Sequence, residues 1–339
     1  MSRSAALAFA ATCVVFAGSA VLTAWQEPPQ ATPETTLQLP ANTTLPPPPM
    51  DDRDFKVSSE VELVLLDVSV KGPDGGFVTG LTKENFKVFD NKAQQPIRVF
   101  AAQDAPVTVG LVVDNSGSVR PKKPDIVTAA LTFVTQSNPN DEVFVVNFND
   151  HVKMGLPEGT DFTGNRQLLR NALLMNPAQG RTALYDALKM AINHLDKGRL
   201  DKKTLVLVSD GGDNASEMDK SELMKAAEQS LATIYTVGIF AADDKDKNPG
   251  FLRSLAGLTG GEAFIPENPG HLVGVCEKIA RDIRNRYTLG FVPTAGPQDM
   301  KPHSVRVFAQ TAEGKKLEVR TRTHYIPKLR TARAKSVAR

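Results

Sequence analysis

The sequence predicts an α/β protein: a doubly wound, mostly parallel sheet with helices on both faces, flanked by β-sandwich-like segments. Three observations carry this. Between residues 105 and 286, apolar strand-like runs alternate with amphipathic helical stretches, the pattern of a parallel sheet covered on both sides. On either side, over 54–103 and 287–327, the pattern changes to short β segments separated by turn residues. One apolar run, VTVGLVVD at 107–114, stops abruptly on a carboxylate, and Ser116 and Ser118 follow it.

Taken in order, the chain opens with Arg3 and an uncharged stretch from Ser4 to Trp25 rich in Ala, Val, Leu and Phe. A basic residue before an apolar run predicts a signal peptide or N-terminal anchor over 1–26, since the run approaches the roughly 20 residues that span a bilayer. Residues 27–50 are rich in Pro, Thr and Gln, including four prolines at 46–49, and read as an extended linker. In 54–103, the overlapping alternation of Val61, Leu63 and Leu65 with Val64, Leu66, Val68 and Val70 suits a strand buried on both faces for part of its length. A turn signal at Pro73–Gly76 and short strands in FVTGLTKENFKVFD and PIRVFAA follow.

Within 105–286 the expected strands are Val107–Asp114, Glu142–Asn149, Thr204–Asp210 and Thr233–Phe240, with a shorter one near Glu262–Ile265 and an edge piece around Val152–Leu156. Helices are expected at Asp125–Gln136 and Ala183–Leu195, and Gly260–Gly261 ends another. Residues 287–327 return to β, in RYTLGFVP, HSVRVFAQ and LEVRTRTHYIP. The β segments before and after the α/β part are either two halves of one sandwich or two separate wings. The tail, 328–339, carries five positive charges and no acid, the composition of a solvated end.

The chemistry lies where strands end. In an open parallel sheet, ligands bind outside the carboxyl ends of the strands. Asp114, Ser116 and Ser118 place three hard oxygens on one loop, Thr182 sits in GRTALYDAL, and Asp210 ends KTLVLVSD. Two carboxylates can neutralise a dication, while neutral hydroxyls leave it electrophilic enough to accept one more carboxylate, as octahedral Mg2+ allows. Taken alone, Asp-Asn-Ser-Gly-Ser is also a polar turn; the preceding strand, the Thr loop and the second strand-ending Asp favour a metal site. Asn115 could shape the loop or meet a ligand. Asp141, Asp186 and Asp213 read as caps, turns or helix surface, and Asp243–Lys247 as a solvated loop that could rim the site.

This set, Asp114, Ser116, Ser118, Thr182 and Asp210, resembles the complete metal-ion-dependent adhesion site (MIDAS) of a von Willebrand factor type A domain. The resemblance covers about residues 105–286 and implies direct metal contacts from Ser116, Ser118 and sometimes Thr182, with Asp114 and Asp210 holding its waters. The leader, the stretch VTGLTKENFKV at 78–88, the type A region and the β tail together resemble exported bacterial proteins of this kind well represented in Acidobacteria.

Other chemistry finds little support. The sequence has no G-x-S-x-G elbow, Walker loop, H-E-x-x-H or C-x-x-C, and its five His residues are scattered without metal spacing. Only Cys13 and Cys276 exist, the first within the expected leader and the second beside a helical apolar stripe as a packing residue. A formal net charge of +2 does not point to nucleic acid. The expectation is a non-enzymatic, exported adhesion or scaffold module holding Mg2+, with Mn2+ or Ca2+ as alternatives. Its partner is a protein that presents Asp or Glu to the metal. Membrane contact is expected only through an uncleaved leader or the basic tail. The alternatives are an assembly or regulatory subunit of a larger enzyme, or an envelope protein whose metal only stabilises it.

Overall fold

The computed structural model describes residues 63–102, 104–240, 246–293 and 301–326; the expected leader, linker and basic tail lie outside the described residues. The first strands are β1 (Val64–Lys71), β2 (Phe86–Asp90), β3 (Ala93–Gln95) and β4 (Ile97–Ala101). β1 buries Val64, Leu66, Val68 and Val70 on one side and Ser69 on the other, so it is two-faced only near its end. The turn at Pro73–Gly76 is closed by Gly72 N–H donating to Gly76 O at 2.8 Å. Residues 78–82 do not join a strand: Gly80 has φ 78°, and a reciprocal Thr82–Asn85 cap starts a 3-10 turn over Lys83–Asn85.

The α/β part comprises β5 (Val107–Asp114), α1 (Lys123–Gln136), β6 (Glu142–Phe148), β7 (Val152–Met154), α2 (Arg166–Leu174), α3 (Leu184–Leu195), β8 (Lys202–Ser209), α4 (Lys220–Gln229), β9 (Thr233–Gly238), α5 (Pro249–Thr259), β10 (Ala263–Phe264) and α6 (Leu272–Arg284). The sheet order is β10-β9-β8-β5-β6-β7, parallel except for β7 at the edge. Every residue of β5, β6 and β9 is buried, which is why these runs are mostly apolar rather than alternating. At Gly110, a Cβ would lie 2.4 Å from Phe144 Cζ and 2.5 Å from Leu205 Cδ2, so the large side chains of both neighbouring strands use that space. One layer packs α1 against α6 and α2; the other packs α3 against α4 and α4 against α5. Gly260, in the left-handed region, ends α5. Cys276 is buried in the core, where desolvation pushes its thiol up to about 12 and makes it a packing group.

The chain then adds β11 (Tyr287–Phe291), β12 (His303–Gln310), β13 (Lys316–Arg320) and β14 (His324–Tyr325). These pair with the earliest strands, in the path β3-β2-β12-β13-β1-β11-β4 with β14 on β12. β1 is the connector: Val64–Val68 pair with β11, and Ser69–Lys71 with β13. The β strands before and after the α/β part therefore share one hydrogen-bonded path and one apolar cluster, including Leu66, Phe86, Tyr287, Phe291 and Tyr325. The stretch LEVRTRTHYIP breaks into two strands because Arg322 turns inward, its guanidinium donating to Glu228 O and Ala232 O. Among the described residues, no helix is long and apolar enough to cross a membrane.

A buried polar cluster fastens the β strands to the α/β part. Asp282 of α6 accepts from Ser69 Oγ at 2.5 Å and from Tyr235 OH at 2.7 Å. Arg286 donates to Tyr235 OH at 3.0 Å, Gly260 O at 2.7 Å and Asp67 O at 3.3 Å, and pairs with Asp282 at 3.4 Å. Burial by itself would raise the Asp282 carboxyl, but Arg286, Ser69 and Tyr235 outweigh it and hold the group below the ordinary carboxylate value. Because the folded pKa is depressed, the stability Asp282 contributes is present above the unfolded value and is lost as pH falls through the folded one. In urea unfolding at pH 7, Asp282→Ala is expected to cost about 3–5 kcal/mol by stranding Arg286. The difference from wild type should shrink steadily below pH 4; a pH-independent difference would contradict the ionised pairing.

Candidate metal centre

β5 lies between β6 and β8, so the chain reverses its winding direction there and the carboxyl ends of three strands open on one crevice. Asp114 ends β5 and is fully buried. Its Oδ1 accepts the Ser116 N–H at 2.8 Å and its Oδ2 accepts Ser209 Oγ at 2.7 Å. Ser116 Oγ lies 3.0 Å from Ser118 Oγ, and Ser118 Oγ donates to Asp210 Oδ2 at 2.7 Å. Asp210 Oδ1 accepts the Gly212 N–H at 2.9 Å. Two carboxylates and two hydroxyls from two loops are thus gathered into one hydrogen-bonded patch, with half-buried Ser118 nearest to solvent.

Thr182 arrives on a third loop. That loop is pinned by Gln179 N–H on Asn115 O at 2.8 Å, Gly117 N–H on Gly180 O at 3.1 Å and Ala183 N–H on Asn149 O at 2.7 Å. Thr182 itself is buried; its N–H donates to Asn214 Oδ1 at 2.9 Å, and its carbonyl accepts from the N–H groups of Asn214 and Ala215. The Thr182 loop is therefore tied both to the serine loop and to the segment just after Asp210. Asp246, in the charged stretch expected to rim the site, accepts from Asn214 Nδ2 at 3.1 Å, which sets it beside this segment.

Asn115 shapes the loop: fully buried, it donates through Nδ2 to Asn147 Oδ1 at 3.0 Å, and its Oδ1 accepts from Lys123 Nζ. Asn147 at the end of β6 donates in turn to Ala172 O at 2.8 Å. Asp141 takes the Val107 N–H and the Arg284 guanidinium, each at 2.8 Å. Asp186 accepts from the N–H groups of Glu217 and Met218, and Asp213 from Tyr185 N–H and Ser216 Oγ. All three are structural.

Sequence reasoning missed Ser209, Asn147 and Lys123. A serine directly before a strand-ending Asp, and an asparagine inside an otherwise apolar strand end, were available signals for the first two. Lys123 had none, because only the fold turns the first residue of α1 toward Asn115.

The electrostatics suit a cation. Desolvation raises the Asp114 carboxyl, although Ser116 and Ser209 donate to it and Lys123 attracts it. Burial likewise lowers Lys123 to about 8, with Asp114 pulling the other way. Among the described residues no three His, Cys, Asp or Glu side chains gather to hold a metal, so any cation here must also rely on hydroxyl oxygens. Two acidic and two hydroxyl side chains of this kind fit a hard, oxygen-loving dication and do not fit a thiolate- or imidazole-seeking one.

Residues 109–212 match the family model of the von Willebrand factor type A domain. This part of the chain is a von Willebrand factor type A domain. The chain is similar to an uncharacterized protein of Synechocystis sp., with 23% identity over 215 residues, 60% of this chain and 50% of that protein. It thus spans half the length of that curated relative. Among solved structures, it is similar to a von Willebrand factor type A protein from Catenulispora acidiphila, with 15% identity, 80% and 75% of the two chains covered and a TM-score of 0.48. It is also similar to mussel byssus proximal thread matrix protein 1 with a zinc-occupied MIDAS motif, at 16% identity, 53% and 48% coverage and a TM-score of 0.44. Type A domains typically mediate contacts between proteins and bind a divalent metal at the MIDAS.

Asn115 gives this type A domain a test that needs no metal. Asn115→Ala leaves Asn147 Oδ1 and Lys123 Nζ without their shared partner, and should lower stability by about 1–3 kcal/mol in chemical unfolding in EDTA. A change within a few tenths would show that the network does not hold the loop.

Proposed function

We propose that this type A domain is a metal-dependent, non-enzymatic protein-binding module that works outside the cytoplasm as an adhesion or scaffold element. A dication held by Asp114, Ser116, Ser118, Thr182 and Asp210 takes one further oxygen from an Asp or Glu of a partner protein. The observation that carries this is the chain Ser116 Oγ, Ser118 Oγ, Asp210 Oδ2, two hydroxyls and a carboxylate in sequence beside buried Asp114. A cation entering that chain would replace hydroxyl hydrogen bonds with oxygen ligation and offset the cost of burying Asp114.

Mg2+ suits few protein charges and retained waters, whereas Ca2+ favours more carboxylates than this set contains. Mn2+ shares the ligand preference and is the useful substitute in binding assays. The basic-then-apolar start of the chain, Arg3 followed by Ser4–Trp25, supports export or anchoring outside the cytoplasm.

The test is capture of proteins from an envelope extract by the full chain in Mg2+, in EDTA, and with Ser118→Ala or Asp210→Ala. Partners should be retained only by the wild type in Mg2+, and raising Mg2+ to about 100 times its Kd should stabilise the wild type by about 2.7 kcal/mol. Equal capture in all conditions would rule out metal-bridged recognition. Stabilisation by Mg2+ with unchanged capture would leave the metal a purely structural part.

A further inference from the structure

The loops around the proposed metal differ in charge and in what they leave exposed. Arg120, two residues beyond Ser118, is exposed, and its Nε donates to Ala178 O at 2.8 Å. Arg181, immediately before Thr182, has a side chain 68% exposed; its Nε donates to Asp150 Oδ1 at 3.1 Å and its backbone N–H to Asp150 Oδ2 at 3.0 Å. Each guanidinium is anchored by its inner nitrogen. The outer nitrogens of Arg120 make no hydrogen bond among the described residues, and those of Arg181 make only a long one, 3.5 Å to Asn214 O. The 3.1 Å contact between Gly117 N–H and Gly180 O sets the two arginine-bearing loops side by side.

Leu174 and Met175 at the end of α2 are each 50% exposed. Met175 precedes Ala178, the residue that anchors Arg120, by three positions, which limits their separation to about 11 Å. Isolated exposed apolar side chains are ordinary; these two are consecutive and lie on the segment that leads into the Arg120 anchor. The segment after Asp210 carries the opposite sign, with Asp213 on it and Asp246 set beside it through Asn214. The rim is therefore basic and apolar on the side of residues 117–120 and 174–181, and acidic on the other.

We infer that this rim docks an acidic protein segment with an aliphatic residue next to the acid that reaches the metal. A flanking carboxylate meets the outer nitrogens of Arg120 and Arg181, and the aliphatic side chain covers Leu174 and Met175. The inference rests on the metal-bridge reading above and extends it from one carboxylate to a pattern. Planar guanidinium groups, held in place by their own anchors, lose little freedom on meeting a carboxylate, which suits them to reading a second acid. Arg181 already faces Asp150, so it contributes donor geometry, whereas Arg120 has no acidic neighbour within hydrogen-bonding distance among the described residues and contributes charge.

The test is fluorescence anisotropy of the full chain with three labelled, blocked peptides: Gly-Gly-Asp-Gly-Gly, Gly-Glu-Asp-Glu-Gly and Gly-Leu-Asp-Glu-Gly. In Mg2+, the flanked acid should bind about three- to fivefold more tightly than the single acid, and the leucine peptide about tenfold more tightly. Arg120→Gln and Arg181→Gln should erase the gain from the flanking acids and leave the single-acid peptide unchanged. Leu174→Ser with Met175→Ser should erase the leucine gain; all four side chains are exposed, and unchanged melting curves would verify folding. Three peptides that bind equally, all requiring Mg2+, overturn the docking surface and leave the metal bridge standing. Failure of every peptide to bind in Mg2+, or binding that persists in EDTA, overturns the metal bridge and this inference with it.

Discussion

A carboxylate with no exposure must be supplied with donors or with a cation, and Asp114 is the position around which the α/β part is arranged. It ends the central strand of the parallel sheet, where the chain reverses its winding and the strand ends open on a crevice. Ser209 from the neighbouring strand and the Ser116 N–H from its own loop supply two donors. Lys123 supplies charge from α1, held in place by Asn115 and Asn147. Each comes from a different element, so the loops around Asp114 cannot shift independently. The same arrangement gathers the Ser116 and Ser118 hydroxyls and Asp210 beside Asp114, with Ser118 alone of the three partly open to solvent.

The second constraint is the buried cluster of Asp282, Arg286, Tyr235 and Ser69. Breaking one partner of such a cluster leaves an uncompensated charge, which makes it a firm fastening. It ties α6 to β1 and, through Gly260, to the end of α5. Lys71 and Arg320 extend it by meeting Glu262. Strands from both ends of the described chain therefore bear on the α/β part through charge as well as apolar packing, and the crevice at the strand ends opens from a sheet whose far elements are held in register.

Much of the fold was legible because its signals are local. The strand Val107–Asp114 ends in the structure where its apolar run ends in the sequence, and α3 differs from its expected span by one residue. Backbone detail set the rest: within FVTGLTKENFKVFD the strand is Phe86–Asp90, while Gly80 and the Thr82–Asn85 cap redirect residues 78–82. Residues 321–323 interrupt a strand because Arg322 finds carbonyl partners on α4 and before β9, groups nearly a hundred positions away. The structure brings Asp114, Ser116, Ser118 and Asp210 together, four residues whose types and strand-end positions stand out in the sequence.

By itself the sequence determined the α/β class, the order of the central elements and the oxygen-bearing residues, because apolar periodicity and strand-ending acids are written in consecutive positions. Only the tertiary structure decided that the two β segments share one hydrogen-bonded path through β1, that Asn115 is a loop brace, and that Ser209 and Lys123 serve Asp114. Each of these depends on pairing between residues far apart in the chain. Strand pairing and buried charge compensation are set by which surfaces can satisfy one another in space, and no local pattern encodes the partner.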